Sequence, residues 1–261
     1  MGVISLQVVD EISAQSSPGV GSFSEILWID RIDSTNAYLL HAARNGAAHG
    51  LVVTADEQTK GRGRRGRTWI APPGSSLMFS ILIRPSATGY FGPVFAYGAA
   101  LALAARDAIN ALSGADVKIK YPNDLLLNDR KLAGILVETD ISGDVVDAVV
   151  LGMGTNTSWS DMPAEIAESA TSLNREGFEV DNRTLLLQIL KSFDNRLRSL
   201  NTAIGEFASQ CGTVGQRVKV EADAREITGI ATSIAPDGAL IVRDDSGVEH
   251  RINVGDVIHV R

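Results

Sequence analysis

The spacing of apolar positions changes several times along the chain of 261 residues. "EILWIDRI" (25–32), "GLVVTADEQ" (50–58) and "SSLMFSILIRP" (75–85) are dense in β-branched and aromatic residues and end at turn formers, so they predict strands. Between the first two, "DSTNAYLLHAARNG" predicts a helix. Ser34 or Thr35 would cap it, Ala37, Leu40 and Ala43 would form its apolar face, and it would end near Gly46. "GPVFAYGAALALAARDAINAL" predicts a long, mostly buried helix. "VKIKYPNDLLLNDRKLAGILVETD" holds two apolar runs around Asn128-Asp129, the pattern of a hairpin turn. "DVVDAVVLGMGTN" is a further strand ending in glycines. Leu185, Leu186, Ile189, Leu190, Phe193 and Leu197 recur at helical spacing and predict one buried helix face.

From about Gly212 the pattern becomes short strands at close spacing, separated by "PDG" and "DSG" turns, which predicts a small β-barrel. The expected organisation is a loose leader over 1–24, a mixed domain over 25–211 and a C-terminal β unit over 212–261, with the boundary near Cys211. The hairpin in the middle of the large domain argues for antiparallel pairing there, hence an α+β fold rather than strictly alternating α/β.

Composition narrows the chemistry. With 44% hydrophobic and 21% charged residues, the chain is long enough for one large domain or one large plus one small. Its formal net charge of −7 argues against a general nucleic-acid binder. A single cysteine, Cys211, excludes an intrachain disulfide and fits a reducing compartment. His41, His49, His250 and His259 do not cluster at metal-ligand spacing. No apolar run reaches the roughly 18 residues needed to span a bilayer, and residues 1–21 lack the basic start and apolar segment of a secretory signal. A cytoplasmic location is expected.

Against this acidic background, "TKGRGRRGRTW" (59–69) places five cations, Lys60, Arg62, Arg64, Arg65 and Arg67, within eight residues. Gly61, Gly63 and Gly66 match the dinucleotide pattern G-x-G-x-x-G, and Gly61 to Thr68 is one residue away from a P-loop. Both patterns require a helix to open at the loop, because its N-terminus helps bind phosphate. Two adjacent prolines, Pro72 and Pro73, and then a strand follow instead, so both are rejected. Glycines still let backbone N–H groups approach a phosphate chain, and arginines offer planar forks to its oxygens. Five like charges repel, so the loop is expected to be mobile until an anion orders it. A solvated charge run or an RNA-binding patch is the competing reading of the same residues.

"DSTN" (33–36), "KYPND" (120–124) with "RKLAGILVE" (130–138), and "GMGTN" (152–156) accompany the loop in fixed order. Together with "GRGRRGRTW" they closely resemble the biotin protein ligases, over roughly residues 25–261. The resemblance implies a carbon–nitrogen bond-forming ligase that makes biotinyl-5′-AMP from biotin and ATP with Mg²⁺. It then moves biotin to a lysine of the biotin carboxyl carrier domain of an acetyl-CoA, acyl-CoA or pyruvate carboxylase. It also implies a catalytic domain related to class II aminoacyl-tRNA synthetases and an SH3-like C-terminal domain. About 24 residues precede the first expected strand, too few for the three-helix DNA-binding domain some members carry, so neither DNA nor a membrane is an expected partner. Tyr121 stands where many members have tryptophan, and Lys60 replaces a commoner small residue.

By this resemblance, Ser34, Thr35, Asn36 and Gln58 surround biotin's polar ring, while Gly134 and Ile135 pack along it. Arg62, Gly63, Arg64 and Lys131 lie where biotin meets the reacting phosphate. Gly61, Trp69, Asn123 and Asn156 join Arg62, Arg64 and Lys131 around the nucleotide. Lys131 and Arg64 are the expected catalytic cations, and Asp124 is expected to position or help deprotonate the incoming lysine. Arg65 and Arg67 divide evenly between contact and solvent. Each of these residues also has a structural reading: Ser34 to Asn36 as a helix cap, Lys131 as an exposed turn lysine, Trp69 as core, Asn156 as a turn asparagine. Two alternatives stand beside the main reading: a lipoate ligase of the same fold, and an RNA-binding module using the Gly-Arg loop.

Overall fold

The structure of the chain, a computed structural model, describes residues 14–222, 225–253 and 255–260. The larger sheet is eight-stranded, in the order β1-β2-β3-β4-β8-β7-β6-β5. Its strands are β1 (Ala14–Val20), β2 (Phe23–Ile32), β3 (Leu51–Gln58), β4 (Ser76–Ile83), β5 (Lys118–Lys120), β6 (Asp124–Leu127), β7 (Arg130–Ser142) and β8 (Val145–Asn156). All neighbours pair antiparallel except β2 and β3, which run parallel because helix α1 (Thr35–Arg44) crosses between them.

Helix α1 covers one face of this sheet. Its buried residues are Thr35, Asn36, Leu39 and Ala43, so the face is rotated from the expected Ala37, Leu40 and Ala43. A polar residue, Asn36, takes an inward position that a search for apolar spacing passes over. The other face carries α2 (Pro85–Thr88), α3 (Phe95–Ser113), α5 (Asn182–Leu197) and α6 (Leu200–Gln210), with the short α4 (Ala164–Ala167) in the connection from β8 to α5. Helix α5 buries all six residues that its spacing predicts, and Asp181 caps it by accepting from the Thr184 N–H at 2.8 Å. Phe193 of α5 stacks on Phe23 of β2, ring centroids 5.8 Å apart and both side chains fully buried.

Residues 14–24, expected within a loose leader, belong to the fold. Strand β1 pairs with β2 from Ala14↔Ile29 to Val20↔Phe23, while residues 1–13 lie outside the described residues. The strand is mostly exposed and rich in serine, so it shows no apolar alternation. Backbone pairing and polar side chains hold it instead: Trp28 Nε1 donates to Ser17 Oγ at 2.9 Å, and Ser16 Oγ donates to Glu25 at 2.9 Å. Asp194 of α5 accepts from the Ser22 amide at 3.1 Å, closing the turn between the two strands.

The second sheet has the order β12-β11-β10-β9-β13 and is antiparallel throughout. Its strands are β9 (Arg217–Ala222), β10 (Arg225–Ile234), β11 (Leu240–Asp244), β12 (Glu249–Ile252) and β13 (Asp256–His259). Among the described residues β12 and β13 do not pair, so the expected barrel is seen as an open five-stranded sheet. Val218, Val220, Ala231, Leu240 and Val242 join the same apolar cluster as α3, α5 and α6, which makes the core continuous between the two sheets. Tyr121, 5% exposed, ties them further: its hydroxyl donates to the Gly238 carbonyl at 3.0 Å. No helix among the described residues is long and apolar enough to cross a membrane.

Replacing Phe193 with alanine removes a fully buried ring from the joint between α5 and β2. Urea titration should show unfolding free energy lower by about 3–5 kcal/mol; a loss below about 1 kcal/mol would mean this stack is not part of the core.

Candidate active site

The cationic segment between β3 and β4 folds as a tight excursion. The Trp69 amide donates to the Gly61 carbonyl at 3.0 Å and the Gly63 amide to the Arg67 carbonyl at 2.7 Å. Its tip, Arg64 to Gly66, is a tight turn closed by the Arg67 amide on the Arg64 carbonyl at 3.2 Å, with Arg65 in the left-handed region at φ 55°. A side chain at Gly61 would meet the Trp69 carbonyl at 2.4 Å, so glycine is required where the two arms cross. No helix opens after the loop; β4 begins at Ser76. The expected mutual repulsion is relieved by dispersal, because the guanidiniums reach different partners. Arg62 Nη1 lies 3.3 Å from Glu138, Arg64 donates to Asn123 Oδ1 at 3.2 Å, and Arg65 donates to the Glu221 carbonyl of β9 at 2.9 Å.

Beneath the loop, the start of α1 meets β3, β4, β7 and β8. Ser34 caps α1, accepting from the Ala37 N–H at 3.4 Å. Gln58 Oε1 accepts from the Thr35 amide at 2.8 Å, and Ser80 Oγ lies 2.7 Å from Thr35 Oγ1 and 2.5 Å from Asn36 Oδ1. Asn36 Nδ2 donates to Glu138 at 2.8 Å, so one carboxylate holds both α1 and Arg62 of the loop. The glycines of "GMG" now have a physical reason. A side chain at Gly152 would strike Asn36 at 2.0 Å, and one at Gly154 would strike the Trp69 ring at 2.4 Å. Their absence lets an amide and an indole lie directly on β8.

The β6–β7 hairpin supplies the remaining wall. Asn128 and Asp129 both adopt the left-handed conformation, at φ 50° and 61°, and pair Leu127 with Arg130 across a two-residue turn. Glu176 fixes that turn, accepting from Asn128 at 2.6 Å and Arg130 at 2.5 Å, with Thr171 as a third donor. Burial alone would push its carboxyl up, yet these bonds and the Arg130 charge hold it below the usual carboxylate range. Lys131 follows. Its Nζ sits 2.7 Å from Asp124 and 5.8 Å from the centre of the Trp69 ring, and its backbone is clamped by Ser169 and Thr171 at 2.8 and 2.9 Å.

These elements enclose a cavity of about 150 Å³. Ser34, Thr35, Asn36 and Gln58 come from the start of α1 and the end of β3; Arg62, Gly63, Arg64 and Trp69 come from the loop; Asn123, Lys131, Gly134 and Ile135 come from the hairpin region. Three of the expected residues stand elsewhere. Gly61 faces the outer side of the loop. Asp124 is off the wall and pairs with Lys131. Asn156 is buried, its amide engaged by Ser76 Oγ at 3.1 Å and the Thr171 carbonyl at 3.0 Å. Of the two arginines left even, Arg67 lines the cavity and Arg65 turns to β9.

Glu138, Ser80, Gly152 and Gly154 escaped the sequence reading. The glutamate ends the quoted "RKLAGILVE" and the glycines open "GMGTN", so all three were visible; only the close approaches give them a role. No group of three or more His, Cys, Asp or Glu that could hold a metal occurs among the described residues.

Comparison with known proteins agrees with this geometry. The profile of the Biotin/lipoate A/B protein ligase family matches residues 28–156, and that of the biotin protein ligase C terminal domain matches residues 213–260. The chain is 34% identical over 257 residues to the biotin–[acetyl-CoA-carboxylase] ligase of Mycobacterium tuberculosis, covering 93% of this chain and 92% of that protein. It is 31% identical over 232 residues to the bifunctional ligase/repressor BirA of Bacillus spizizenii, covering 86% of this chain and 71% of that protein. Among solved structures, the biotin protein ligase from Aquifex aeolicus in complex with biotin and ATP superposes with a TM-score of 0.76 at 28% identity, over 90% of this chain and 98% of that one. The two profiles fall on the two sheets in the order the fold gives them, and the chain belongs to the biotin protein ligase family.

Proposed function

We propose that this chain is an ATP-dependent biotin protein ligase. It joins biotin to AMP and then passes the biotinyl group to a lysine of a biotin carboxyl carrier domain. The observation that carries the reading is the cavity itself, whose lining combines the neutral hydrogen-bonding groups of Ser34, Thr35, Asn36 and Gln58 with the cations Arg62, Arg64, Arg67 and Lys131. An uncharged ureido ring with an acidic tail fits that combination. Ser34, Thr35, Asn36 and Gln58 take the ring, Gly134 and Ile135 flank the chain, and the carboxylate points to the cations. ATP enters as its magnesium complex, the ion travelling with the phosphates. Residues 25–211, with β1 added, form the catalytic unit, and 212–261 form an SH3-like unit beside it in a cytoplasmic protein.

The first step needs no base, because the biotin carboxylate is already ionised near neutral pH. Its oxygen attacks the α-phosphorus, an O–P bond forms and pyrophosphate leaves. The difficulty is anion meeting anion. Arg64 and Lys131 offset that repulsion and the charge that builds on the phosphate oxygens. Asp124, paired with Lys131, and Asn123, bonded to Arg64, hold those cations in place beforehand. Trp69 shields the reacting atoms from water.

A lipoate ligase is the second reading that the family description spans. The C-terminal profile and the named relatives favour biotin. Isotope exchange between pyrophosphate and ATP decides: biotin should support it and lipoate should not, and the opposite result would reverse the assignment. Lys131→Ala should lower biotin-dependent exchange by at least about 100-fold; exchange within about twofold of the parent would remove Lys131 from the site.

Gly154→Ala pushes the Trp69 ring off β8, and the same exchange assay should fall by about 10- to 100-fold. A parent-like rate would show that the indole position is unimportant. Trypsin cleavage at Arg64 and Arg65 should slow when biotin and ATP are both added, as the loop closes on the adenylate; equal digestion with and without them would leave the loop without a lid role.

A further inference from the structure

Lys131 stands between two irregularities of its hairpin. Before it comes the turn at Asn128 and Asp129, both left-handed. After it the β6–β7 register shifts: Leu126 pairs with Lys131 but Leu125 pairs with Ala133, so Leu132 is an extra residue, a bulge. The bulge re-aims the lysine. Residues 131 and 134 would point to opposite faces of a regular strand. Here both line the cavity, and a side chain at Gly134 would meet Lys131 Cε at 3.0 Å and Nζ at 3.1 Å. A one-residue slip at the turn would send Lys131 to the other face. Its aim therefore depends on what grips the turn from outside the ladder.

The grip comes from the segment between β8 and α5. Lys131 bridges in parallel to Ala170, its amide donating to the Ser169 carbonyl at 2.8 Å and its carbonyl accepting from the Thr171 amide at 2.9 Å. That clamp is itself anchored: Leu173, fully buried, donates its amide to the Asn156 carbonyl at the end of β8 at 3.0 Å. Glu176, in the single turn Asn174–Glu176, joins clamp to hairpin, and its side chain is only 8% exposed. One carboxylate oxygen accepts from both Thr171 Oγ1 and Arg130 Nη2; the other accepts from Asn128 Nδ2 at 2.6 Å. A carboxylate buried this far is costly unless it is well bonded. Every side chain that bonds it belongs to the turn or to the clamp. Asp124 steadies the tip of Lys131, and Glu176 steadies its base.

We propose that Glu176 is a positioning residue for adenylate formation, fixing the aim of Lys131 without touching substrate. The inference rests on the ligase reading and deepens it. A cation that meets charge building on a phosphate helps most when it is already in place, and a misplacement of about 1 Å can cost about 100-fold in rate. Glu176 thus acts on turnover more than on biotin binding, because Ser34, Thr35, Asn36 and Gln58, which take the ring, stand on α1 and β3.

Biotin-dependent pyrophosphate exchange separates this role from general support of the fold. Glu176→Ala should lower kcat by at least about tenfold and leave the KM for biotin within about twofold. Glu176→Gln keeps a carbonyl for Arg130 and Thr171, and Asn128 can turn its own carbonyl to the new amide, so kcat should recover to within about threefold of the parent. Urea titration reports whether each variant folds. If Glu176→Ala does not fold, Arg130→Met takes its place, because it breaks the ion pair at a partly exposed side chain; the same loss confined to kcat is expected. A kcat within about twofold of the parent would overturn the proposal, as would a KM for biotin that rises as far as kcat falls. Glu176→Gln as slow as Glu176→Ala would overturn it too. An inactive parent protein would sink the ligase reading, whereas an active parent indifferent to Glu176 sinks this assignment alone.

Discussion

Two missing side chains set the depth of the site. Where β8 carries Gly152 and Gly154, the backbone itself becomes the floor, and Asn36 and Trp69 settle onto it. The other contacts depend on that approach. Asn36 can then reach Glu138, Glu138 can hold Arg62, and Trp69 can lie within 5.8 Å of the Lys131 ammonium. A cavity of this kind is made by withholding atoms from one strand and letting two larger groups from distant segments fill part of the space.

The charges obey a related economy of placement. Four cations on the cavity wall would repel one another if left alone. Each of three is instead steadied by an acceptor: Arg62 by Glu138, Arg64 by Asn123, Lys131 by Asp124. The carboxylates here are partly exposed, so the pairs add little to stability. Their worth is geometric. They keep positive groups oriented before an anion is present, which spares reorganisation when one arrives.

Much of this could be read from residue order. The six buried positions of α5 followed from helical spacing, and the β6–β7 turn followed from Asn128-Asp129. The loop, "DSTN", the hairpin and "GMGTN" were each legible as motifs. Their convergence was not, because contacts such as Asn36 to Glu138 join residues 102 apart. Strand β1 was missed because a serine-rich edge strand buries too little apolar surface to leave a period-two signature. Asn36 was missed as the inward residue of α1 because its burial is compensated by hydrogen bonds rather than by apolarity. The segment between β8 and α5, which clamps Lys131 through Ser169 and Thr171, has no periodic pattern to find.

The margins of the large sheet carry a consequence for behaviour at high concentration. One margin is β1, where Pro18 offers no N–H and, among the described residues, no other strand pairs beyond it. The opposite margin is β5, only three residues long and partly occupied by a bridge from Ile119 to Cys211. Neither rim of the large sheet is a long, flat template onto which a foreign strand could zip, which is how this sheet guards its edges against fibrous clumping.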